Sequence, residues 1–366
     1  MKKAKFISII LVFCIIIGGA SVWLFAKSDN EISEWERRKL QQFPEITYQS
    51  LMNGTFMSEF ESYVNDQFPL RDSFRRLKAM VLSDIYLQKD NNGIYIVDGY
   101  AAEYTASISD EKIDLFTDKV NSLYETYIEG SDCNVKYAIV PDKNYFLAAD
   151  NGYPSYDYEY VFGKVKDQLS SDMEEIILRD KLTIDQYYTT DTHWKQESIV
   201  DIANFIRGQY GMKKVNNYES KSAGDFYGVY YGQSALDLPP DEIFYLENEE
   251  ITSAEAYLYE SDKTVPIYNM EKLEAIDHYD IFLSGAVSLI KITNPMGDKD
   301  KKLVVFRDSF GSSLTPLLMS GYSEITVVDT RYINPRMLTS FIEFTDQDVL
   351  FLYSTMLVER SSLLQK

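Results

Sequence analysis

Two short stretches of this chain carry residue types suited to acyl transfer. The first is Arg307-Asp308-Ser309-Phe310-Gly311, which follows the apolar run Leu303 to Phe306 and precedes a helical stretch from Ser312 to about Met319. A serine on a tight strand-to-helix turn exposes its hydroxyl and holds its own N–H near the positive end of the helix dipole, as a nucleophile with an oxyanion site requires. Such a serine needs a base. The chain has only two histidines, His193 and His278, and His193 stands in Asp191-Thr192-His193-Trp194, two residues after a carboxylate. An Asp-x-His step lets the aspartate hold the far imidazole nitrogen, which fixes tautomer and orientation. Trp194 is placed to pack the segment down. His278, between Asp277 and Tyr279, reads as a structural or surface residue. Ser309 equally suits the amino cap of the following helix, so the residues taken alone leave two readings open. A metal site through Asp191 and His193 is disfavoured, because one other histidine and a lone Cys133 leave too few good ligands. Asp308 cannot serve His193 if Ser309 does, since neighbouring side chains point apart.

These residues need a scaffold, and the apolar periodicity supplies one. In the last third, Leu303 to Phe306, Ile325 to Val328 and Val349 to Tyr353 are apolar runs of strand length, separated by helical stretches at Ser312 to Met319 and near Pro335 to Phe344. Earlier, Val135 to Val140 reads as a buried strand, Asp110 to about Gly130 as an amphipathic helix, Tyr160 to Leu178 as another helix, and Leu182 to Ile184 as a short strand. Gly93 to Gly99 is a strand and turn, and Met52 to Leu77 is helical with a break at Phe68-Pro69. Strands alternating with helices predict an α/β fold, with a mostly parallel sheet covered on both faces. Ligands collect at the carboxyl ends of such strands, where Ser309 falls. Ala223 to about Asp280, rich in tyrosine and acid and containing Pro239-Pro240, reads as a decorating insertion at about 223–280.

Composition narrows the setting. The 366 residues carry a formal charge of −21, and the first 27 hold four lysines and no acid, so the remainder bears −25. A surface of that sign repels nucleic acid, teichoic acid and anionic lipid. From Phe6 to Ala26 there are 21 uncharged residues behind Lys2, Lys3 and Lys5. That is long enough to span a hydrocarbon core of roughly 30 Å, and the positive flank keeps the start cytoplasmic. Trp23, Leu24 and Phe25 stand where a signal peptidase would need small residues, which favours an uncleaved anchor. The expected organisation is an anchor over 1–27, a polar stalk over 28–50, which includes Glu34, and a catalytic domain over 51–366. Cys14 lies inside the apolar run and Cys133 is alone, so no disulfide forms in the soluble part.

Asp191-Thr192-His193-Trp194 followed by Asp308-Ser309-Phe310-Gly311 resembles the DHHW proteins, relatives of the alginate O-acetylation proteins in the SGNH hydrolase-like superfamily. Further blocks are similar in order: Glu36-Arg37-Arg38-Lys39-Leu40 with Phe43-Pro44, Phe60-Glu61 with Asn65-Asp66-Gln67-Phe68-Pro69-Leu70-Arg71, Val140-Pro141-Asp142-Lys143, and Phe282-Leu283-Ser284-Gly285. The chain has Thr192 where the family name records a histidine. It also has Ala286 where the resemblance implies an asparagine oxyanion donor.

The resemblance implies an SGNH hydrolase-like three-layer α/β/α domain behind the transmembrane helix, single-pass with the domain outside the cytoplasm. It implies Ser309 as nucleophile, His193 as general base and Asp191 as orienting carboxylate. With Ala286 in place, the Ser309 and Gly285 N–H groups are the oxyanion candidates, and Arg307 and Lys143 are candidates for a local basic groove that meets substrate. The implied activity is O-acetylation of an exported polysaccharide through an acetyl-serine, with a membrane-bound O-acyltransferase as acetyl donor and no cofactor or metal. The same triad becomes a carbohydrate esterase if water reaches the intermediate. Ala286 keeps open a third reading, a weak or inert polysaccharide-binding module.

Overall fold

The computed structural model describes residues 2–33 and 35–365. Glu34 and the side chains of Lys2 and Lys3 lie outside the described residues. The chain forms two compact units: residues 1–92 with 231–238, and residues 93–230 with 239–366.

The first unit begins with helix α1 (Lys2–Ala26). Its Lys5–Ala26 portion is long and apolar enough to cross a membrane. The charged stretch that follows, expected as a stalk, carries local structure. Strands β1 (Ile32–Ser33) and β2 (Arg38–Lys39) pair as a minimal hairpin. Helices α2 (Tyr48–Met52), α3 (Thr55–Gln67) and α4 (Arg71–Met80) follow, with α4 running on through a π-helical turn at Val81–Ile85. Arg38 grips Asp66 with both terminal nitrogens, and the Gln67 amide donates to the carbonyls of Asn30 and Gln41. Polar residues that a stalk would leave in water are thus committed to α3. The break at Phe68-Pro69 lies between α3 and α4, as the proline dictates.

The second unit opens with the hairpin β3 (Ile94–Val97) and β4 (Tyr100–Glu103), then α5 (Asp110–Leu123), β5 (Asn134–Val140), α6 (Lys143–Leu147), α7 (Tyr158–Gln168), β6 (Glu174–Glu175) and α8 (Val200–Gln209). Strand β7 (Glu219–Phe226), α9 (Val229–Ser234), β8 (Asp241–Glu247), α10 (Glu249–Ser253), β9 (Glu255–Leu258) and β10 (Lys263–Pro266) follow. The chain closes with β11 (Leu289–Thr293), β12 (Asp298–Arg307), α11 (Phe310–Leu318), β13 (Tyr322–Val328), β14 (Asp348–Ser354) and α12 (Thr355–Glu359).

Eight of these strands make one sheet in the order β10-β9-β11-β13-β12-β14-β5-β6. From β13 to β6 neighbours run parallel, and from β13 outward through β11 and β9 to β10 they run antiparallel. In β12 the residues from Leu303 to Arg307 are all buried, the continuous apolar signature of a strand covered on both faces. Alternate residues serve different layers. Leu303 and Val305 pack with Ile202, Ile206, Leu314 and Leu317 of α8 and α11. Val304 and Phe306 pack with Ile113, Phe116, Val161 and Val165 of α5 and α7. The result is the three-layer α/β/α arrangement, with Ser309 just past the carboxyl end of a central strand.

Three local expectations change. The helix predicted to reach Leu178 ends at Gln168, because Leu169 turns extended and Ser170-Ser171-Asp172 compete for the backbone. Asn121 accepts from the Ser170 N–H and donates to the Gln168 carbonyl, holding that exit. The sheet edge is then β6, and Ile184–Gln186 is a 3-10 turn instead of a strand. Within 223–280, β9 and β10 extend the main sheet, so part of the expected decoration is scaffold.

Candidate active site

The Asp191 to His193 segment sits at the tip of a tight hairpin closed by the bridge between Tyr187 and Trp194. Its roots are fixed because Tyr187, Tyr188 and Trp194 are all fully buried. The Trp194 indole N–H donates to the Phe310 carbonyl at 3.1 Å and to Ser313 Oγ at 3.0 Å, both on α11. The tryptophan therefore binds the histidine-bearing tip to the helix that starts at Ser309. Gln196 adds a second tie, donating to the Ser313 carbonyl at 2.7 Å.

At the tip, His193 Nδ1 lies 2.6 Å from Asp191 Oδ1. The same oxygen accepts the His193 backbone N–H, and Oδ2 accepts the Val229 N–H at 2.8 Å. Three donors on one buried carboxylate fix its plane. His193 Nε2 is buried and has no hydrogen-bond partner among the described residues. An imidazole held at Nδ1 and bare at Nε2 is ready to accept a proton there. The ring stacks on Tyr279 at 3.9 Å between centroids and lies 5.2 Å from the Phe310 ring.

Ser309 follows β12 and precedes α11 without making a side-chain cap. Asp308 does the capping: its carboxylate accepts the Phe310 N–H at 3.0 Å and the Ser354 N–H at 2.7 Å. Asp308, and not the Ser309 hydroxyl, thus caps α11, and that hydroxyl makes no hydrogen bond among the described residues. Gly311 is required beside it, since a Cβ there would stand 2.6 Å from Arg307 Cβ. Tyr279 completes the link, its hydroxyl 2.8 Å from Ser313 Oγ and 3.4 Å from the Ser309 carbonyl. Burial pushes the Tyr279 phenol pKa up, so it stays neutral.

The three further sequence candidates all make hydrogen bonds within the protein. Lys143 is buried, and its ammonium donates to the carbonyls of Tyr188 at 2.9 Å and Thr189 at 3.1 Å. Burial draws its pKa down to about 7, against the nearby carboxylates of Asp191 and Asp241. Arg307 is buried and donates to the Gly285 carbonyl at 3.1 Å and to Asp329 at 3.3 Å. Burial lowers its pKa, with Asp329 opposing. Gly285 spends its own N–H on the Phe282 carbonyl at 3.1 Å, which removes it as an oxyanion donor. The reason is the turn itself: Leu283, Ser284 and Gly285 all have positive φ, at 53°, 63° and 80°. Thr192 points away, its hydroxyl 2.8 Å from Met356 Sδ, and His278 bonds the Asp225 carbonyl outside this cluster.

Two residues were not legible in advance. Tyr279 carried no signal beyond adjacency to His278. Asp241, after Pro239-Pro240, accepts the N–H and hydroxyl of both Thr189 and Thr190 at 2.6 to 2.8 Å. No cluster of three His, Cys, Asp or Glu suited to a metal ion occurs among the described residues.

No protein-family model and no curated protein sequence matches the chain. Solved structures do. A DHHW family protein from Eubacterium siraeum superposes with a TM-score of 0.60 at 18% identity, covering 76% of this chain and 97% of that one. Bacillus cereus PatB1 with a sulfonyl adduct superposes at 0.57 and 17% identity, covering 75% and 98%. A second structure of Bacillus cereus PatB1 gives 0.57 at 16%, covering 72% and 96%. The chain thus has the fold of a DHHW family protein.

Proposed function

We propose that this chain is a membrane-anchored O-acetyltransferase acting outside the cytoplasm on an exported polysaccharide. One observation carries the reading: His193 is held at Nδ1 by Asp191 and has no partner at Nε2 among the described residues, on a hairpin tip that Trp194 ties to the helix following Ser309. In the first half-reaction His193 Nε2 takes the Ser309 proton as Oγ bonds to the acetyl carbon. The carbon–oxygen bond to the donor breaks, and the leaving oxygen takes the proton from His193. In the second, His193 removes the proton of a sugar hydroxyl, which attacks the acetyl-serine and restores Ser309. The oxyanion that forms twice lies against the amino end of α11.

No acetyl-CoA exists outside the cytoplasm, so the donor is a membrane-bound O-acyltransferase, and α1 keeps the two in one membrane. The fold is shared with PatB1, which has been solved with a sulfonyl adduct. Sulfonyl groups react with activated hydroxyls, and this reading places such an adduct on Ser309 here. The test incubates the full chain in detergent with an aryl acetate and a neutral oligosaccharide. Acetylated sugar that disappears in Ser309→Ala supports the transferase. Acetate without acetylated sugar supports the esterase, and aryl acetate turnover unchanged in Ser309→Ala rejects both.

A further inference from the structure

Helix α4 is inside out. On a surface helix the apolar stripe normally faces the protein and the polar face meets water. Here the inward face carries Arg71, which pairs with Glu36, and Arg75, which pairs with Glu36 at 3.2 Å and donates to the Gly232 carbonyl at 2.9 Å. Ala79 on that face is fully buried. The outward face carries Leu70, Phe74 and Leu77, exposed by 58, 52 and 55%, at a spacing of four and three residues. The π-helical turn continues outward with Ile85, Tyr86 and Leu87 exposed. Contiguous exposed apolar side chains of this size mark a surface that is covered in use.

The chain carries its own depth marker for what covers it. Trp23 and Lys27, at the end of α1, line a cavity of about 460 Å³ together with Phe68, Pro69, Leu70 and Arg71. Lys27 Nζ also donates to Gln67 of α3 at 3.2 Å, one residue before Phe68. Tryptophan and lysine at the end of a spanning helix sit at the level of the lipid headgroups. Residues sharing a cavity with them sit at the same level. The stripe starts there: Leu70 opens α4, and the Phe68 ring lies 5.7 Å from that of Phe74.

We infer that α4 and the turn after it lie on the bilayer that α1 spans, with Leu70, Phe74 and Leu77 in the boundary between headgroups and acyl chains. This rests on the reading of α1 as an uncleaved anchor. An amphipathic helix lying in the interface gains from burying its apolar face, and the exposed Lys78 beside the stripe can raise its ammonium to the headgroups. Seated this way, the first unit is bound to the membrane by a spanning helix and an interfacial one.

Spin labelling of the full chain in phosphatidylcholine vesicles tests this. Single cysteines replace Phe74, Leu77 or Ile16 in a Cys14→Ser, Cys133→Ser background. Collision with oxygen, which concentrates in lipid, is then compared with collision with a water-soluble nickel chelate. The expected result is an oxygen-dominated label at 77, approaching that at 16, and the same at position 74. A nickel-dominated label at 77 with an oxygen-dominated one at 16 overturns the inference and leaves the anchor standing. A label at 77 shielded from both reagents also overturns it, because the stripe is then covered by protein, such as a second copy. A nickel-dominated label at 16 sinks the anchor reading, and the inference with it.

Discussion

The hairpin tip at Asp191 to His193 and the turn at Leu283 to Gly285 are both tied to the chain around Ser309, and they are held by different physics. Around the tip, partners converge from outside. Asp241 takes the amides and hydroxyls of Thr189 and Thr190, Lys143 takes the carbonyls of Tyr188 and Thr189, and Trp194 reaches α11. None of residues 187–194 has a positive φ. The turn also has outside partners, with Ile267 on the Leu283 N–H, Asn269 on the Ser284 hydroxyl and Arg307 on the Gly285 carbonyl, but it adds three successive left-handed residues, two of them not glycine, and Asp280 fills the space under the glycine. A left-handed non-glycine residue costs of order 1–3 kcal/mol and persists only where its surroundings enforce it. The tip invests in orientation and the turn in strain, so damage to the first is expected to cost activity and damage to the second stability.

The largest effect expected of this contrast is at the tip. Ser309→Ala or His193→Ala lowers aryl acetate turnover by about 10⁴-fold or more, and Asp191→Asn by a comparable ~10⁴-fold, because the imidazole loses its fixed tautomer. Thermal melting midpoints near the parent's would show that the loss is chemical. Asp241→Asn is next. An amide replaces one accepting oxygen with a donor, the tip shifts, and kcat falls about 100-fold with KM little changed. An unchanged kcat there would mean the tip does not depend on outside partners.

The turn gives the opposite signature. Gly285→Ala must hold φ near 80° and put a Cβ 2.1 Å from Asp280 Oδ1, so unfolding is easier by about 2–3 kcal/mol. Residual activity per folded molecule, measured below the new melting point, stays within a few-fold of the parent. Activity lost without a fall in stability would erase the distinction between the two loops.

Lys143 supplies the smallest and most specific effect. Its pKa in the folded chain is drawn down to about 7, well below its value when unfolded. Between those values the unfolded state binds the extra proton, so Lys143's contribution to stability rises with pH from about 7 toward 10 and is lost as pH falls back through 7. Relative to Lys143→Met, the parent gains on the order of 2 kcal/mol between pH 7 and pH 9. Chemical denaturation at the two pH values measures it, and parallel changes in parent and variant would show that the ammonium stays charged where it lies.

The same contrast explains what the sequence disclosed. Ser309, His193 and Asp191 could be nominated from sequence because histidine is scarce here and the Asp-x-His spacing is local, so the nomination did not need the fold. The three-layer sheet was legible because strands buried on both faces read as unbroken apolar runs. Asp241 reaches Thr189 across 52 residues of chain, and nothing local marks it. Lys143 looked like a cation for a ligand because charge in a short block suggests exposure, whereas the backbone carbonyls of the hairpin solvate it inside. Gly285 looked like an amide donor because glycine suggests an open backbone, and the positive-φ turn closes that amide on Phe282. The ties within the expected stalk were hidden for a similar reason: Arg38 and Asp66 stand 28 residues apart.

The central claim is that the Ser309 hydroxyl becomes acylated with His193 as its base, and peptide mass spectrometry of the full chain quenched during turnover of an aryl acetate tests it most directly. The account predicts an acetyl group on the peptide containing Ser309, absent in Ser309→Ala and strongly reduced in His193→Ala. Acetate release with no label on that peptide at any quench time, or label undiminished in His193→Ala, would contradict it.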